Sequence, residues 1–293
     1  SATDVFDINT YSGNGSDPRV LTSNITPDLL ISATRNNAGN TNFVFDRLRG
    51  DYHLITSGTN AEDQRTDWQL DYNDAYQIGF PRNDTGENYV DWMWKRAPSY
   101  FDVVAYTGDG SSSRNVNHNL GVAPEMMWVK SRNNTASWIV YHKDIGNTKA
   151  IYLNSTSAAS TASSGWWNNT TPTDTVFTLG ANTTQSSNDY IAYLFATVAG
   201  VSKVGSFTYA GSPLNVDCGF SSGARFVLIK HVGSGAWLTF DSTRGIVAGN
   251  DPFLELNSTN AEDSGYDVID PYSAGFTVAG GLDQAQHIFY AIA

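Results

Sequence analysis

The sequence predicts an all-β protein made of three tandem β-sandwich modules of the jelly-roll or lectin-like kind, with little helix. Short apolar or aromatic runs alternate with clusters of Gly, Asn, Ser and Asp along the whole chain. Only 16 % of the 293 residues are charged, and this scarcity of Lys and Glu disfavours helices. The same hydrophobic landmarks recur at intervals of roughly 100 residues, which indicates one module used three times.

The internal repeat is visible as matched runs of residues. The pentapeptide Thr-Asn-Ala-Glu-Asp occurs at 59–63 and again at 259–263. Each copy closes on an aromatic-rich run, at 89–97, 190–196 and 288–293. A reused module indicates a surface that the protein presents several times, and it argues against a single asymmetric catalytic pocket.

These landmarks predict the bounds of the modules. Module 1 is expected at 1–99, module 2 at 100–199 and module 3 at 200–293, and module 1 is the most divergent. The connections at 96–100 and 197–202 are short, so the modules are expected to pack against one another.

Module 2 shows the strand pattern most clearly. Its predicted strands are 103–106, 126–129, 138–141, 151–153, 176–179 and 190–195. The last of these runs is apolar on both faces, which is typical of a central, buried strand. The turn at 107–110 contains Asp-Gly, which supplies the positive φ angles of tight hairpins. The best candidate for a short helix is 158–164.

Composition and charge exclude several partners. The net charge of −12 opposes binding to nucleic-acid phosphates and to anionic lipid. No apolar run approaches the length of a membrane span, so membrane insertion is not expected. Cys218 is the only cysteine, which rules out an intrachain disulfide and favours a buried, inert thiol.

No residue pattern predicts catalysis, a cofactor or a metal ion, and the chain is therefore expected not to be an enzyme. Residues 219–223 match Gly-x-Ser-x-Gly, but a strand at 226–229 follows directly, which favours a hairpin loop over a nucleophile elbow. The histidines do not share the spacing of metal ligands or recur at matched positions. They are His53, His118, His142, His231 and His287.

The acidic pairs at 62–63 and 262–263 lie in loop-like stretches, and module 2 has Ala159 and Ser160 in their place. Solvated loop acids are the favoured interpretation, and a carboxylate cage for Ca²⁺ is the alternative. Asp46 and Arg49 recur as Asp241 and Arg244. Each Asp–Arg pair is expected to brace a turn.

Tryptophans offer the most suggestive binding residues. Trp92 and Trp94 alternate in one strand, and packing in the core or between modules is favoured for them. Trp166 and Trp167 are adjacent, so in an extended chain one of them would face outward and could stack on a sugar or a partner. Core packing is an equal alternative for this second pair. The candidate surface contacts are Trp166, Trp167, Asn168 and Asn169.

Several runs of the chain resemble tandem repeats in large virion proteins of marine tailed phages, particularly cyanophages. They are residues 120–132, 138–142, 151–154, 190–196 and 217–226. The resemblance covers residues from about 100 to 293, and module 1 departs more from the pattern. It implies a phage structural or tail-fibre-like protein, of a kind often found beside lectin-like sandwich domains.

The predicted function is therefore that of a virion protein in a tail fibre or appendage, which contacts the host surface through module loops. Expected partners are other virion subunits, in a homo-oligomer such as a trimer, and a host surface glycan. The expected location is the surface of the extracellular particle, after assembly in the host cytoplasm. The alternatives are a capsid decoration or appendage-building subunit without a ligand and, less favoured, a carbohydrate-cleaving enzyme with clustered carboxylates.

Overall fold

The structure, a computed structural model, describes residues 1–161 and 164–293. Within these ranges the helical segments are two 3₁₀ turns, Ala2–Asp4 and Ala181–Thr183, and neither is long and apolar enough to cross a membrane. The predicted all-β class is confirmed. The predicted helix at 158–164 is wrong at Ser160–Thr161, which is a strand, and Ala162 and Ser163 lie outside the described residues.

The first eight strands form module 1, with a six-stranded and a two-stranded sheet. The large sheet has the order β1-β8-β3-β4-β5-β6, and β2 pairs with β7 in the small sheet. All described pairings are antiparallel. The strands are β1 (Phe6–Ser12), β2 (Arg19–Thr22), β3 (Leu29–Thr34), β4 (Phe43–Asp46), β5 (Tyr52–Ile55), β6 (Asp63–Gln64), β7 (Ala75–Ile78) and β8 (Asn88–Trp94).

Module 2 repeats this arrangement with the next eight strands. Its large sheet has the order β9-β16-β11-β12-β13-β14, and β10 pairs with β15. The strands are β9 (Phe101–Thr107), β10 (Ser113–Asn117), β11 (Met126–Ser131), β12 (Ile139–His142), β13 (Lys149–Tyr152), β14 (Ser160–Thr161), β15 (Val176–Gly180) and β16 (Asp189–Phe195).

Module 3 has the same order in its large sheet, β17-β24-β19-β20-β21, and a three-stranded small sheet, β18-β23-β22. In every module the first strand therefore pairs with the last, and the last pairs with the third. The strands are β17 (Ser202–Thr208), β18 (Leu214–Asp217), β19 (Phe226–His231), β20 (Trp237–Asp241), β21 (Leu254–Glu255), β22 (Ile269–Tyr272), β23 (Gly275–Val278) and β24 (Gln286–Ile292).

The inner faces of the three large sheets meet in one shared core. Aromatic rings from all three modules touch there: the centroids of Trp94 and Phe226 are 5.5 Å apart, and those of Phe195 and Tyr290 are 5.1 Å apart. Trp92 and Trp94 are fully buried, which confirms their prediction as core residues. The outer face of each large sheet packs under its small sheet, so a central strand such as β16 is buried on both sides, as predicted.

Trp166 and Trp167 are not surface residues, and their prediction as surface contacts is wrong. Their side chains are 6 % and 1 % exposed and pack in the outer core of module 2. Residues 164–169 form turns, so the alternation of an extended strand does not apply and both rings face inward. The indole N–H of Trp167 donates to the carbonyl of Lys149 at 2.9 Å.

The modules contact one another in a closed ring. At each contact a backbone N–H beside the sheet edge formed by β6, β14 or β21 donates to a carbonyl that follows the third strand of the next module. The three hydrogen bonds are Glu62 N–H to Arg132 (2.7 Å), Ala159 N–H to Val232 (2.8 Å) and Glu262 N–H to Arg35 (2.7 Å). Module 1 thus contacts module 2, module 2 contacts module 3, and module 3 contacts module 1.

The repeated pentapeptide is part of this ring. Glu62 accepts two hydrogen bonds from the guanidinium of Arg132, both at 2.9 Å, and Glu262 accepts two from Arg35, at 2.8 and 2.9 Å. These two glutamates are only 12 % and 14 % exposed, so their interpretation as solvated loop acids is wrong. Their repetition reflects two equivalent interfaces between modules.

Each glutamate extends an Asp–Arg pair. Arg49 Nε lies 2.5 Å from Asp46 Oδ2, and the backbone N–H of Arg49 donates to Asp46 Oδ1 at 3.0 Å, which confirms that the pair braces its turn. Arg49 Nη1 is 3.5 Å from Glu62. Arg244 makes the matching contacts with Asp241 at 2.5 Å and with Glu262 at 3.1 Å.

Candidate functional site

A pocket occurs at the same place on the outer face of each module. It lies between the loop that precedes the fourth strand and the loop that precedes the last strand. Matched lining residues are Gly39, Phe43 and Arg82 in module 1, Ala136, Ile139 and Thr183 in module 2, and Gly235, Leu238 and Leu282 in module 3. The scaffold therefore presents three equivalent positions at which a ligand could bind.

The three pockets differ in size and chemistry. Their volumes are about 490 Å³ in module 1, 80 Å³ in module 2 and 150 Å³ in module 3. Only the first falls within the range typical of small-molecule sites, roughly 300–1,000 Å³. We call it the arginine pocket, after Arg65 and Arg82 in its lining.

The phenyl ring of Phe43 organises the arginine pocket. The guanidinium carbon of Arg82 lies 4.2 Å from the centroid of this ring, and that of Arg65 lies 5.6 Å from it. The imidazole of His53 is also close, with 4.3 Å between ring centroids. Stacking of a guanidinium on an aromatic face is favourable and fixes the direction of its N–H donors.

Arg82 is fully buried and held by its terminal nitrogens. Nη1 donates to Thr34 Oγ1 at 3.3 Å, and Nη2 donates to the carbonyl of Thr41. Burial lowers the pKa of Arg82 to about 10, so the side chain is still a cation at neutral pH. Its Nε is buried and has no hydrogen-bond partner among the described residues.

Arg65 is the second cation of the pocket. It is partly exposed, and its Nε is also buried without a partner in the described part of the chain. The ion pairs of the described residues involve other arginines, so neither Arg65 nor Arg82 is paired with a carboxylate there.

His53 and three polar residues complete the lining. The His53 Nδ1 lies 2.9 Å from the carbonyl oxygen of Asp63, which can only accept, so Nδ1 bears the proton and Nε2 is left as an acceptor. Burial lowers the pKa of His53 to about 4, and the ring is neutral at pH 7. Asn40, Asn60 and the exposed Asp63 add amide and carboxylate groups.

The interior behind the arginine pocket is polar, unlike that of the other modules. Tyr76 donates to the buried Asp91 at 2.6 Å, and burial raises the pKa of Asp91 to about 6. The strand registers place Ala192 and Phe289 at the position of Asp91. The sequence did not predict this site, although an aspartate in the middle of the apolar closing strand was a signal for it.

The module 3 pocket contains a pair of histidines. His231 and His287 are opposite each other on β19 and β24, with ring centroids 5.0 Å apart, and His231 Nδ1 is 3.4 Å from Asp283. The sequence showed them as scattered because the register between strands is not visible there. No group of three or more His, Cys, Asp or Glu residues suited to a metal ion occurs in residues 1–161 and 164–293.

Asn168 and Asn169 lie apart from the three pockets, on module 2. Both have positive φ angles, and Asn168 donates to Ser113 Oγ at 2.8 Å. Asn169 is exposed, and its contact with a ligand stays a prediction.

Residues 1–288 match the family described as "Domain of unknown function (DUF7483)". The chain belongs to the DUF7483 family. The match covers modules 1 and 2 and reaches the last strand of module 3, so it includes the ring contacts and all three pockets of this DUF7483 chain. No curated protein sequence matches the chain.

Proposed function

We propose that this DUF7483 chain is a phage virion protein, in a tail fibre or other appendage, that contacts a host surface glycan through its outer pockets. The observation behind this proposal is the arginine pocket on a scaffold that offers the same position three times. Variable residues on a rigid frame are typical of recognition proteins. The resemblance of residues 100–293 to virion repeats of marine tailed phages supplies the setting, at the surface of the particle.

Several copies of the chain on one particle would strengthen a weak contact. A second binding event on the same particle is effectively intramolecular, which raises the overall affinity without new contacts. We therefore propose that the chain assembles with other virion subunits. A homotrimer is one such assembly, in which three arginine pockets would act together.

Host-cell binding by the purified chain tests this function. The labelled full chain is mixed with host bacteria, and bound protein is measured by flow cytometry for the unmodified chain, Arg65→Gln and Arg114→Gln. We expect the first variant to lose most of its binding and the second to keep it, because Arg114 lines none of the three outer pockets. Absence of binding by the unmodified chain would contradict the proposal.

A capsid decoration or appendage-building subunit is the second candidate. The observation that favours it is the small size of the pockets in modules 2 and 3, about 80 and 150 Å³, which leaves most of the scaffold without room for a sugar ring. Mass spectrometry of separated heads and tails distinguishes the two functions. The chain is expected in the tail fraction if it is an adhesin and in the head fraction if it decorates the capsid.

A carbohydrate-cleaving enzyme is the third candidate. A pocket of about 260 Å³ on module 1 is lined by Asp51 and Asp71 beside Trp68, and paired carboxylates are the groups that glycoside hydrolysis needs. Release of reducing ends from host polysaccharide, abolished by Asp51→Asn and Asp71→Asn, would favour this candidate over the first two.

A further inference from the structure

We infer that the arginine pocket binds the carboxylate of an acidic sugar. The inference rests on the proposed function and deepens it, because it gives the chemical class of the glycan. It depends on three properties of the pocket: its charge, its free donors and its polar rim.

The charge of the pocket selects a monoanion. Arg65 and Arg82 contribute two positive charges and Asp63 one negative charge, whereas His53 is neutral at pH 7. A net charge of +1 is therefore localised in a chain whose net charge is −12. A single carboxylate balances it, whereas a phosphate dianion would leave an excess negative charge.

The free donors of the pocket match a carboxylate. Arg65 Nε and Arg82 Nε are both buried without a partner in the described residues, and a buried donor is unfavourable until an acceptor reaches it. A guanidinium presents parallel N–H groups that fit the two oxygens of a planar carboxylate. The ring of Phe43 lies against both cations and holds them in place before a ligand arrives.

The remaining lining suits the hydroxyl groups of a sugar. Asn40 and Asn60 provide amide donors and acceptors, and His53 Nε2 is an acceptor. The matched pockets of modules 2 and 3 have Thr183 and Leu282 in the place of Arg82 and lack this combination.

Titration of the full chain with small probes tests the inference. Binding of glucuronate, glucose and inorganic phosphate is followed by isothermal titration calorimetry and by chemical shifts in nuclear magnetic resonance. We expect glucuronate to bind at least about tenfold more tightly than glucose or phosphate, since one charge-assisted pair has about that effect. Comparable affinity for glucose, or tighter binding of phosphate, would overturn the carboxylate assignment.

Arg65→Gln is the decisive variant because Arg65 is only partly buried and its side chain makes no hydrogen bond with the described residues. We expect it to weaken glucuronate binding at least about tenfold. Arg114→Gln is the control, since Arg114 lies 5.6 Å from the ring of Tyr106, as Arg65 does from Phe43, and lines none of the three outer pockets. Arg114 also donates to the carbonyl of Thr107 and lies 3.7 Å from Asp109, so this control loses more structural contacts than Arg65→Gln does. Equal effects of the two variants would overturn the inference.

The outcomes separate this inference from the proposed function. Host-cell binding by a chain that does not bind glucuronate would overturn the ligand class alone. Glucuronate binding by a chain that does not bind host cells would support the pocket and contradict the role in attachment.

Discussion

The interfaces of module 1 with its two neighbours contain networks of charges, whereas the interface between modules 2 and 3 has no carboxylate or arginine at the same positions. The network at the first interface consists of Asp46, Arg49, Glu62 and Arg132, and that at the third of Asp241, Arg244, Glu262 and Arg35. The matched residues between modules 2 and 3 are His142, Ile145, Ala159 and Val232. All four positions differ together.

The difference indicates that the four charged residues of each network depend on one another and are replaced together. A buried charge that loses its partner is strongly unfavourable, whereas an apolar set of similar shape replaces a complete ion network at little cost. Ile145, Ala159 and Val232 pack against the shared core, so the second interface buries apolar surface in place of charges. Each charged network also accepts a hydrogen bond from an aromatic side chain of the neighbouring module. The hydroxyl of Tyr193 donates to Asp46 at 2.6 Å, and the indole N–H of Trp92 donates to Asp241 at 2.9 Å.

Removal of the central charge of a network, that of Arg49, is expected to lower stability the most. Arg49→Leu leaves Asp46 and Glu62 buried beside each other, and we expect the free energy of unfolding to fall by about 3–5 kcal/mol. Urea denaturation at pH 7, followed by tryptophan fluorescence, measures it. Leu48→Ala is the control, because Leu48 is 49 % exposed and its loss is expected to cost less than about 0.5 kcal/mol. Equal losses would mean that the network does not act as a unit.

The interface between modules 2 and 3 is expected to be the more sensitive to acid. Burial lowers the pKa of His142 to about 4, below its ordinary value of 6.5. The unfolded chain therefore takes up a proton between pH 6.5 and 4 that the folded chain does not, and stability falls as the pH falls through this window. We expect a loss of up to about 3 kcal/mol.

The comparison of the unmodified chain with His142→Asn isolates this contribution, because His53, His287, Asp91 and Asp251 titrate alike in both. Denaturation curves at pH 7.5 and 4.5 should show a smaller pH-dependent loss for the variant. The charged groups around His142 are Asp144, Lys143 and Glu125, and they are unchanged in it. Parallel pH profiles of the two proteins would show that another group causes the acid sensitivity.

The sequence predicts features that depend on near neighbours. The closing strand at 190–195 and the pairing of Asp46 with Arg49 follow from local periodicity and spacing. The partners of Glu62 and Glu262 were not predictable in this way, because they lie 70 and 227 positions away. The sequence shows that module 2 lacks the acids at residues 159 and 160, but the contact of Ala159 with Val232 depends on the fold.

The arginine pocket was not predictable from local sequence patterns for the same reason. Arg65 and Arg82 belong to different loops and share a site only because both pack against the ring of Phe43. The alternation of an extended chain would turn one of Trp166 and Trp167 outward, and the turn at 164–169 removes that alternation. Local patterns thus predict strands and turns, and sites that depend on loop geometry require the fold.

The smallest change in stability is expected when the interface between modules 1 and 2 receives all four residues of the interface between modules 2 and 3. The fourfold variant Asp46→His, Arg49→Ile, Glu62→Ala and Arg132→Val gives module 1 the residues that already pack between modules 2 and 3. We expect the free energy of unfolding to change by less than about 2 kcal/mol, because no charge is left without a partner. The same urea titration measures it. A loss larger than that of Arg49→Leu alone would show that the two interfaces are not interchangeable, and that the charges are needed for the specific contact between modules 1 and 2.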